Sequence, residues 1–278
     1  AVASDGSTAS AGDDAINAGS GNDIISGDAL ATGPNGMANV SNYAQANSNA
    51  SAGSDIINAG EGVNIVAGDS AATGFGGIAL STNIAVGGGE SHAGDDVINT
   101  GDDQDFIAGE SMSEGPTLGF NTATAYAHTG KVYAGNDTIT AGNGDNVVSG
   151  GVFSSGKDAT IENSANAANF GGEAYAGNDE VRTGTGHDII AGEALVYYPL
   201  DGEAPTAEAN NTATAAAGEY GFGLAMAGND LLVADKGDTD VEFGNDTVSG
   251  DALVAPSAYS GADAVANNAA SAEQGDEG

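Results

Sequence analysis

The chain of 278 residues has no cysteine and no tryptophan. Without cysteine there is no disulfide framework and no thiolate metal site, and the redox compartment cannot be read from its pairing. Basic residues are nearly missing as well: Lys131, Lys157, Arg182 and Lys236 stand against 40 Asp and Glu, for a net charge of −36. Such a field repels phosphate backbones and anionic membrane surfaces, which excludes nucleic acid as a partner and leaves cations as the natural one. No apolar run is long enough to cross a bilayer, so no membrane insertion is expected. No signal-peptide pattern stands in these residues, and the chain opens on Ala1 rather than Met, so a processed or excerpted product is expected, with export favoured.

What is present is a repeat. The stretch AGDDAINAGSGNDIISGDAL from Ala11 returns in altered form from Ala52, Ala93, Ala134 and Ala176, and an interrupted copy starts at Ala227. The starts are separated by 41, 41, 41, 42 and 51 residues. Regular spacing of this length signals units that pack on their neighbours rather than a globular core, so residues 1–278 are read as a single repeat domain. A charge this large ordinarily argues for disorder. Here the acids recur beside Ile and Val at fixed positions, which solvating tails do not do.

Each copy divides into two halves, each a glycine turn, an Asp and a short strand with a β-branched centre: Gly12-Asp13-Asp14 before Ala15-Ile16-Asn17, then Gly19-Ser20-Gly21-Asn22-Asp23 before Ile24-Ile25-Ser26. Ala18 to Ser26 resembles the calcium-binding repeat of RTX (hemolysin-type) proteins, G-G-x-G-x-D-x-U-x with U a large apolar residue, at every position but the first glycine. Ser10 to Asn17 matches G-x-D-x-U-x. The resemblance covers about 20 of every 41 residues and implies an all-β parallel β-solenoid, β-roll-like, of about six 41-residue coils. It also implies Ca²⁺ as the cofactor.

The spacers carry a second pattern. Thr32 to Gly36, Thr73 to Gly77 and Glu114 to Gly119 read as turns, and all five prolines lie outside the glycine-Asp blocks. Alternating alanines follow: Ala44 and Ala46; Ala123, Ala125 and Ala127; Ala165 and Ala167; Ala213, Ala215 and Ala217. A period of two is a strand with one small-residue face, so a flattened coil of three or four strands is expected. An alanine-rich helix is the competing reading, opposed by the interspersed Asn, Ser, Thr and Gly. The fifth spacer is longer, and residues 196–226, with Tyr197, Tyr198, Pro199, Pro205, Tyr220 and Phe222, form the one local candidate for a partner face.

Stacked as parallel coils, equivalent residues lie about 4.8 Å apart. Two apolar columns result, Ile16, Ile57, Ile98, Ile139, Val181, Leu232 and Ile25, Val66, Ile107, Val148, Ile190, Val248. A third column is unbroken Asp: Asp14, Asp55, Asp96, Asp137, Asp179 and Asp230. Neighbouring carboxylates at that distance repel by roughly 1 to 4 kcal/mol. Ca²⁺ suits such a column, because it takes six to eight oxygens, including the carbonyls a glycine turn exposes. With no Cys and three scattered His, zinc and iron lack a ligand set. By the resemblance, each Asp bridges to the next coil through calcium. Further candidate ligands are Asp23, Asn64, Asp105, Asn146, Asp188 and Asp246, where Asn weakens the site or replaces it with an amide ladder. Asp28, Asp69, Glu110, Glu193 and Asp251 form one more acidic column, broken at Gly151.

Catalysis needs unlike groups converging in a pocket, and repeated positions offer one carboxylate over and over, so no enzyme is expected. Two classes remain: an extracellular, calcium-binding structural protein stacking head to tail on copies of itself into a filament or surface layer, and an RTX accessory or adhesin domain of a larger secreted protein.

Overall fold

The protein, described from a computed structural model over residues 8–46, 49–73, 77–113, 117–125, 131–155, 158–167, 173–197, 206–215, 224–233, 247–255 and 263–272, is a parallel β-solenoid of six coils. Every strand pairing is parallel, and no helix occurs among the described residues, which settles the alanine stretches as strand. Among the described residues each coil has five strands, not the three or four expected, except that the fifth is split in the first coil into Met37–Asn39 and Asn42–Gln45. In the second coil these are Ala50–Ala52, Ile56–Gly60, Ile65–Ala67, Ser70–Ala72 and Ile78–Gly87. Equivalent strands stack into five sheets, here called the first to fifth walls. The extra walls arise because two residues, Gly68-Asp69, suffice to turn the chain between the third and fourth.

The register follows the repeat. Ile16, Ile57, Ile98, Ile139, Val181 and Leu232 face one another along the second wall, and Ile25, Val66, Ile107, Val148, Ile190 and Val248 along the third. Their side chains, Val248 aside, form one cluster, buried except for the partly buried Ile16 and Leu232 at its two ends. Alanines of the fifth and first walls, among them Ala44, Ala85, Ala123, Ala165 and Ala213 against Ala52, Ala93 and Ala134, form another. Alanine lets the two backbones approach closely. A third cluster lies on the opposite side of the third wall, where Phe106, Phe153 and Tyr197 stand with ring centroids 6.4 to 6.5 Å apart.

Two details depart from the sequence reading. Thr117, Leu118 and Gly119 are not a turn but the start of a fifth-wall strand, Thr117–Ala125, held in register by Ala79, Leu80 and Ser81. The 196–226 stretch is not one loop: Thr206–Ala215 lies in the fifth wall, and its partner-face residues Tyr198, Pro199, Pro205, Tyr220 and Phe222 fall outside the described residues. So do Gly74 to Gly76 and Glu114 to Pro116 of the expected turns, Ala127, Ala217, His128 and the calcium candidate Asp246. In the first spacer the turn is present, with Gly36 N–H donating to Gly33 O at 2.9 Å.

Ile98 is fully buried whereas its neighbour Val97 is 37% exposed. Ile98→Ala is expected to destabilise the calcium-saturated protein by about 2–5 kcal/mol, and Val97→Ala by less than about 1 kcal/mol, read from denaturant midpoints. Equal effects would contradict the inward assignment of this column.

Candidate metal centre

The corner between the first and second walls is a Gly-x-Asp turn. At Gly53 the backbone takes φ 62°, a left-handed conformation, and a Cβ there would overlap the Asn83 side chain. The turn carries Asp55 inward. Each Asp of this column spends one oxygen on the preceding coil: Asp14 N–H donates to Asp55 Oδ1 at 2.6 Å, Asp55 to Asp96 at 2.6 Å, Asp96 to Asp137 at 2.7 Å, Asp137 to Asp179 at 2.8 Å and Asp179 to Asp230 at 3.0 Å. The other oxygen, Oδ2 of Asp55, Asp96, Asp137, Asp179 and Asp230, is buried with no hydrogen-bond partner. Asp14 itself is exposed in the first coil.

Those Oδ2 atoms share a cradle. A Cβ added to Gly27 would overlap both Asp55 Oδ2 and Gly68 O. The same pairing, an Asp Oδ2 with a glycine carbonyl, recurs at Gly68, Gly109, Gly150 and Gly192. The glycine opens the space, and two kinds of oxygen converge in it.

The next acidic column comes from the corner between the third and fourth walls. Asp69, Glu110 and Glu193 are fully buried, while Asp28 is exposed in the first coil and Asp251 half-buried in the last. Carboxylate oxygens of Asp28, Asp55 and Asp69 lie within 4.8 Å of one another, as do those of Asp69, Asp96 and Glu110 and those of Asp179, Glu193 and Asp230. Two of the triads contain an acid from each of two adjacent coils at the third–fourth corner, and Asp69 belongs to both. Asp69 Oδ1 is another buried oxygen without a hydrogen-bond partner.

An asparagine ladder closes the third side. Asn42, Asn83, Asn121, Asn163, Asn211 and Asn268 stack along the fifth wall, each amide donating to the Oδ1 of the next at 2.9 to 3.2 Å. They also donate to the acids: Asn42 to Asp28, Asn83 to Asp69, Asn121 to Glu110, Asn211 to Glu193 and Asn268 to Asp251. The sequence reading passed over this ladder. Its signal is an Asn-x-Ala triplet in every spacer strand, hidden because Asn in an alternating strand reads as the solvent face.

The second-half column behaves differently. Asn64 Nδ2 donates to Gly60 O and Gly62 O of its own turn, at 3.1 and 2.8 Å, and Asn146 Nδ2 to Gly142 O and Gly144 O, at 3.0 and 3.1 Å. These amides occupy the carbonyls a cation would need. Asp188 Oδ2 accepts from Thr183 Oγ1 at 2.7 Å, whereas Asp105 Oδ2 is buried without a hydrogen-bond partner. Asp23 is half-buried, its N–H held by Asn64 Oδ1 at 3.2 Å.

Burial dominates the electrostatics. Desolvation, reinforced by neighbouring carboxylates, pushes Asp55 up to about 8, Asp69 to about 6 and Asp230 to about 7. For the same reasons Asp96, Glu110, Asp137, Asp179 and Glu193 stand well above the ordinary carboxylate range. Among the described residues no Lys or Arg offsets them: Lys131 pairs with Glu173, and Arg182 with Glu180, at the surface. An all-oxygen set of carboxylates and carbonyls with unspent lone pairs fits a hard divalent cation of calcium's kind. Bound there, calcium supplies positive charge and coordination to oxygens that the protein leaves unsatisfied.

A raised folded-state pKa stabilises the fold below the unfolded value near 4 and loses that contribution as pH rises through the folded value. Chelated protein is therefore expected to melt lower at pH 8 than at pH 5, with most of the loss between pH 5 and 8; with excess calcium the trend should flatten or reverse, because metal and protons compete for the same oxygens. Higher chelated stability at pH 8 would contradict the burial of these groups. Gly68→Ala, whose methyl would overlap Asp96 Oδ2 and Gly109 O, is expected to weaken calcium binding in calorimetry. Gly33→Ala, with no atom near the added carbon, should leave it unchanged.

Comparison with known families places the RTX calcium-binding nonapeptide repeat (4 copies) on residues 8–29, 48–72, 91–111, 132–154 and 173–194. Those segments are the glycine-Asp corners with the strands on either side. No curated protein and no solved structure matches the chain. The repeats, the parallel coil and the buried oxygen cradles agree: the chain carries RTX calcium-binding repeats, folded as a β-roll-type solenoid.

Proposed function

We propose that this protein is an extracellular structural element, one calcium-ordered repeat domain whose copies stack head to tail into a filament or surface layer. The observation that carries the reading is the polarity of the two interior ladders. Asp N–H groups and Asn amides both donate from each coil to the next. The first coil therefore presents Asp14 and Asn42 as acceptors, and the last coil presents the Asp230 N–H and the Asn268 amide as donors, the two halves of one further rung. Leu30, in the column of buried Met112, Phe153 and Leu195, is left exposed at the first coil. Among the described residues the outermost strands have no neighbour on their outer edge, and an unpaired edge is a template for another strand. A head-to-tail contact whose rotation does not close into a ring builds an open filament.

Location follows from ion supply. Extracellular calcium modules work at about 10⁻⁴ to 10⁻³ M, far above cytosolic free calcium. A chain with this many buried acids is expected to order after export and to act at or outside the cell surface. The role is structural rather than catalytic, supported by the columns of like carboxylates and carboxamides where a reaction would need unlike groups. The same end rungs would equally dock further coils of a larger secreted protein, which is the second reading, an RTX accessory or adhesin domain.

Chelation at pH 8 is expected to weaken the strand signal in circular dichroism, and an unchanged spectrum would sink the calcium role. In millimolar calcium, negative-stain microscopy is expected to show filaments that lengthen with protein concentration. Discrete short rods of one length would favour the accessory-domain reading.

A further inference from the structure

The acids behind the third–fourth corner and the asparagine ladder lie outside the glycine-Asp half-turns that carry the family pattern, and the ladder lies outside the matched segments altogether. We infer that they give this chain an interior file of divalent-cation positions, at Asp28/Asp55/Asp69, Asp69/Asp96/Glu110 and Asp179/Glu193/Asp230, and that Gly151 interrupts the file at the fourth coil. The inference rests on the calcium reading above and specifies where the ions sit.

Each position has more than clustered acids. Asp69 Oδ1 and the Oδ2 atoms of Asp55, Asp96 and Asp179 have no hydrogen-bond partner and belong to residues of the triads that are no more than 1% exposed. Glycine carbonyls stand beside the Oδ2 atoms. The first two positions share Asp69, so five carboxylates would face two divalent ions. That leaves one net negative charge in place of five.

The fourth coil is built differently. Gly151 contributes no carboxylate, and the Ile161 side chain fills the space a Cβ would take. In register with Ile161 are Ser81, Gly119 and Ala209, with Val40 at the equivalent place in the first coil, so from the second coil to the fifth the branched apolar chain stands only in the coil that lacks the acid. Asn163 finds no acid in its own coil and donates instead to Glu193 Oε2 of the next, at 3.2 Å, while Asn211 takes Glu193 Oε1 at 3.1 Å. Glutamate, one methylene longer than the Asp of the second coil, spans two rungs and closes the gap in hydrogen bonding without restoring a triad. Around Ile161 the lining becomes apolar, with Val152, Ala194 and Ala209. At the second and third coils it is hydroxyl, with Ser70, Ser81 and Ser111 hydrogen-bonded together. The file thus divides into a pair of positions on one side of the fourth coil and a single position on the other.

The test is bound calcium per chain, by equilibrium dialysis and elemental analysis of the full chain at saturating calcium. Asp69→Asn is expected to lose two ions relative to the parent, and the exposed control Asp13→Asn none. The double variant Gly151→Asp/Ile161→Ser, which copies the second coil's environment into the fourth, is expected to gain at least one ion, and this gain stays readable should Asp69→Asn fail to fold. If the parent binds calcium but Asp69→Asn loses no ion, or the folded double variant gains none, the interior file is wrong while the calcium reading stands. If the parent binds no calcium at all, both fall.

Discussion

A row of carboxylates is buried with no Lys or Arg among the described residues to meet it, and the rest of the structure is arranged around that constraint. Asp55, Asp96, Asp137 and Asp179 each use one oxygen to hold the N–H of the coil before, which fixes coil to coil. The second oxygen is left bare in a glycine-walled space. Removing a charge from water without a partner costs several kcal/mol per ion, so the metal-free chain must protonate these groups or fail to close over them. Calcium resolves the conflict. Order in this protein is therefore coupled to an ion rather than supplied by the apolar core alone.

That core is thin by design of the sequence. Between the fifth and first walls it is almost wholly alanine, and alanine buries little area. Its merit is closeness: small side chains bring the fifth wall near enough for the asparagine ladder to reach acids that hang from the opposite corner. Isoleucine and valine between the second and third walls supply the larger apolar contribution. The two materials divide the work, one setting the spacing of the polar centre and the other stabilising the stack.

Much of this was legible in the sequence because the intervals are so constant. A 41-residue period maps each Ile and each Asp onto its column, and the parallel solenoid follows. Three things were not legible, each for a physical reason. Ser70–Ala72 was not separated from Ile65–Ala67, because a two-residue corner leaves too little turn signal between three-residue strands. Asn83 and its equivalents were passed over, because polarity predicts the outward face and only the cross-section shows that the inward face at that point is itself polar. The grouping of Asp55 with Asp28 and Asp69 also escaped column bookkeeping, since it depends on which corners of the coil face each other. Asn64 and Asn146 show the converse: one residue type at a ligand position became an internal hydrogen-bond donor to the turn.

The central claim, that divalent cations occupy the spaces between buried carboxylates, is tested most directly by crystals grown in calcium and measured at a wavelength where calcium scatters anomalously. The account predicts anomalous peaks inside the solenoid, bounded by Asp69, Asp96 and Glu110 and by Asp28, Asp55 and Asp69. Carboxyl groups hydrogen-bonded to one another there, with no anomalous peak at neutral pH, would contradict it.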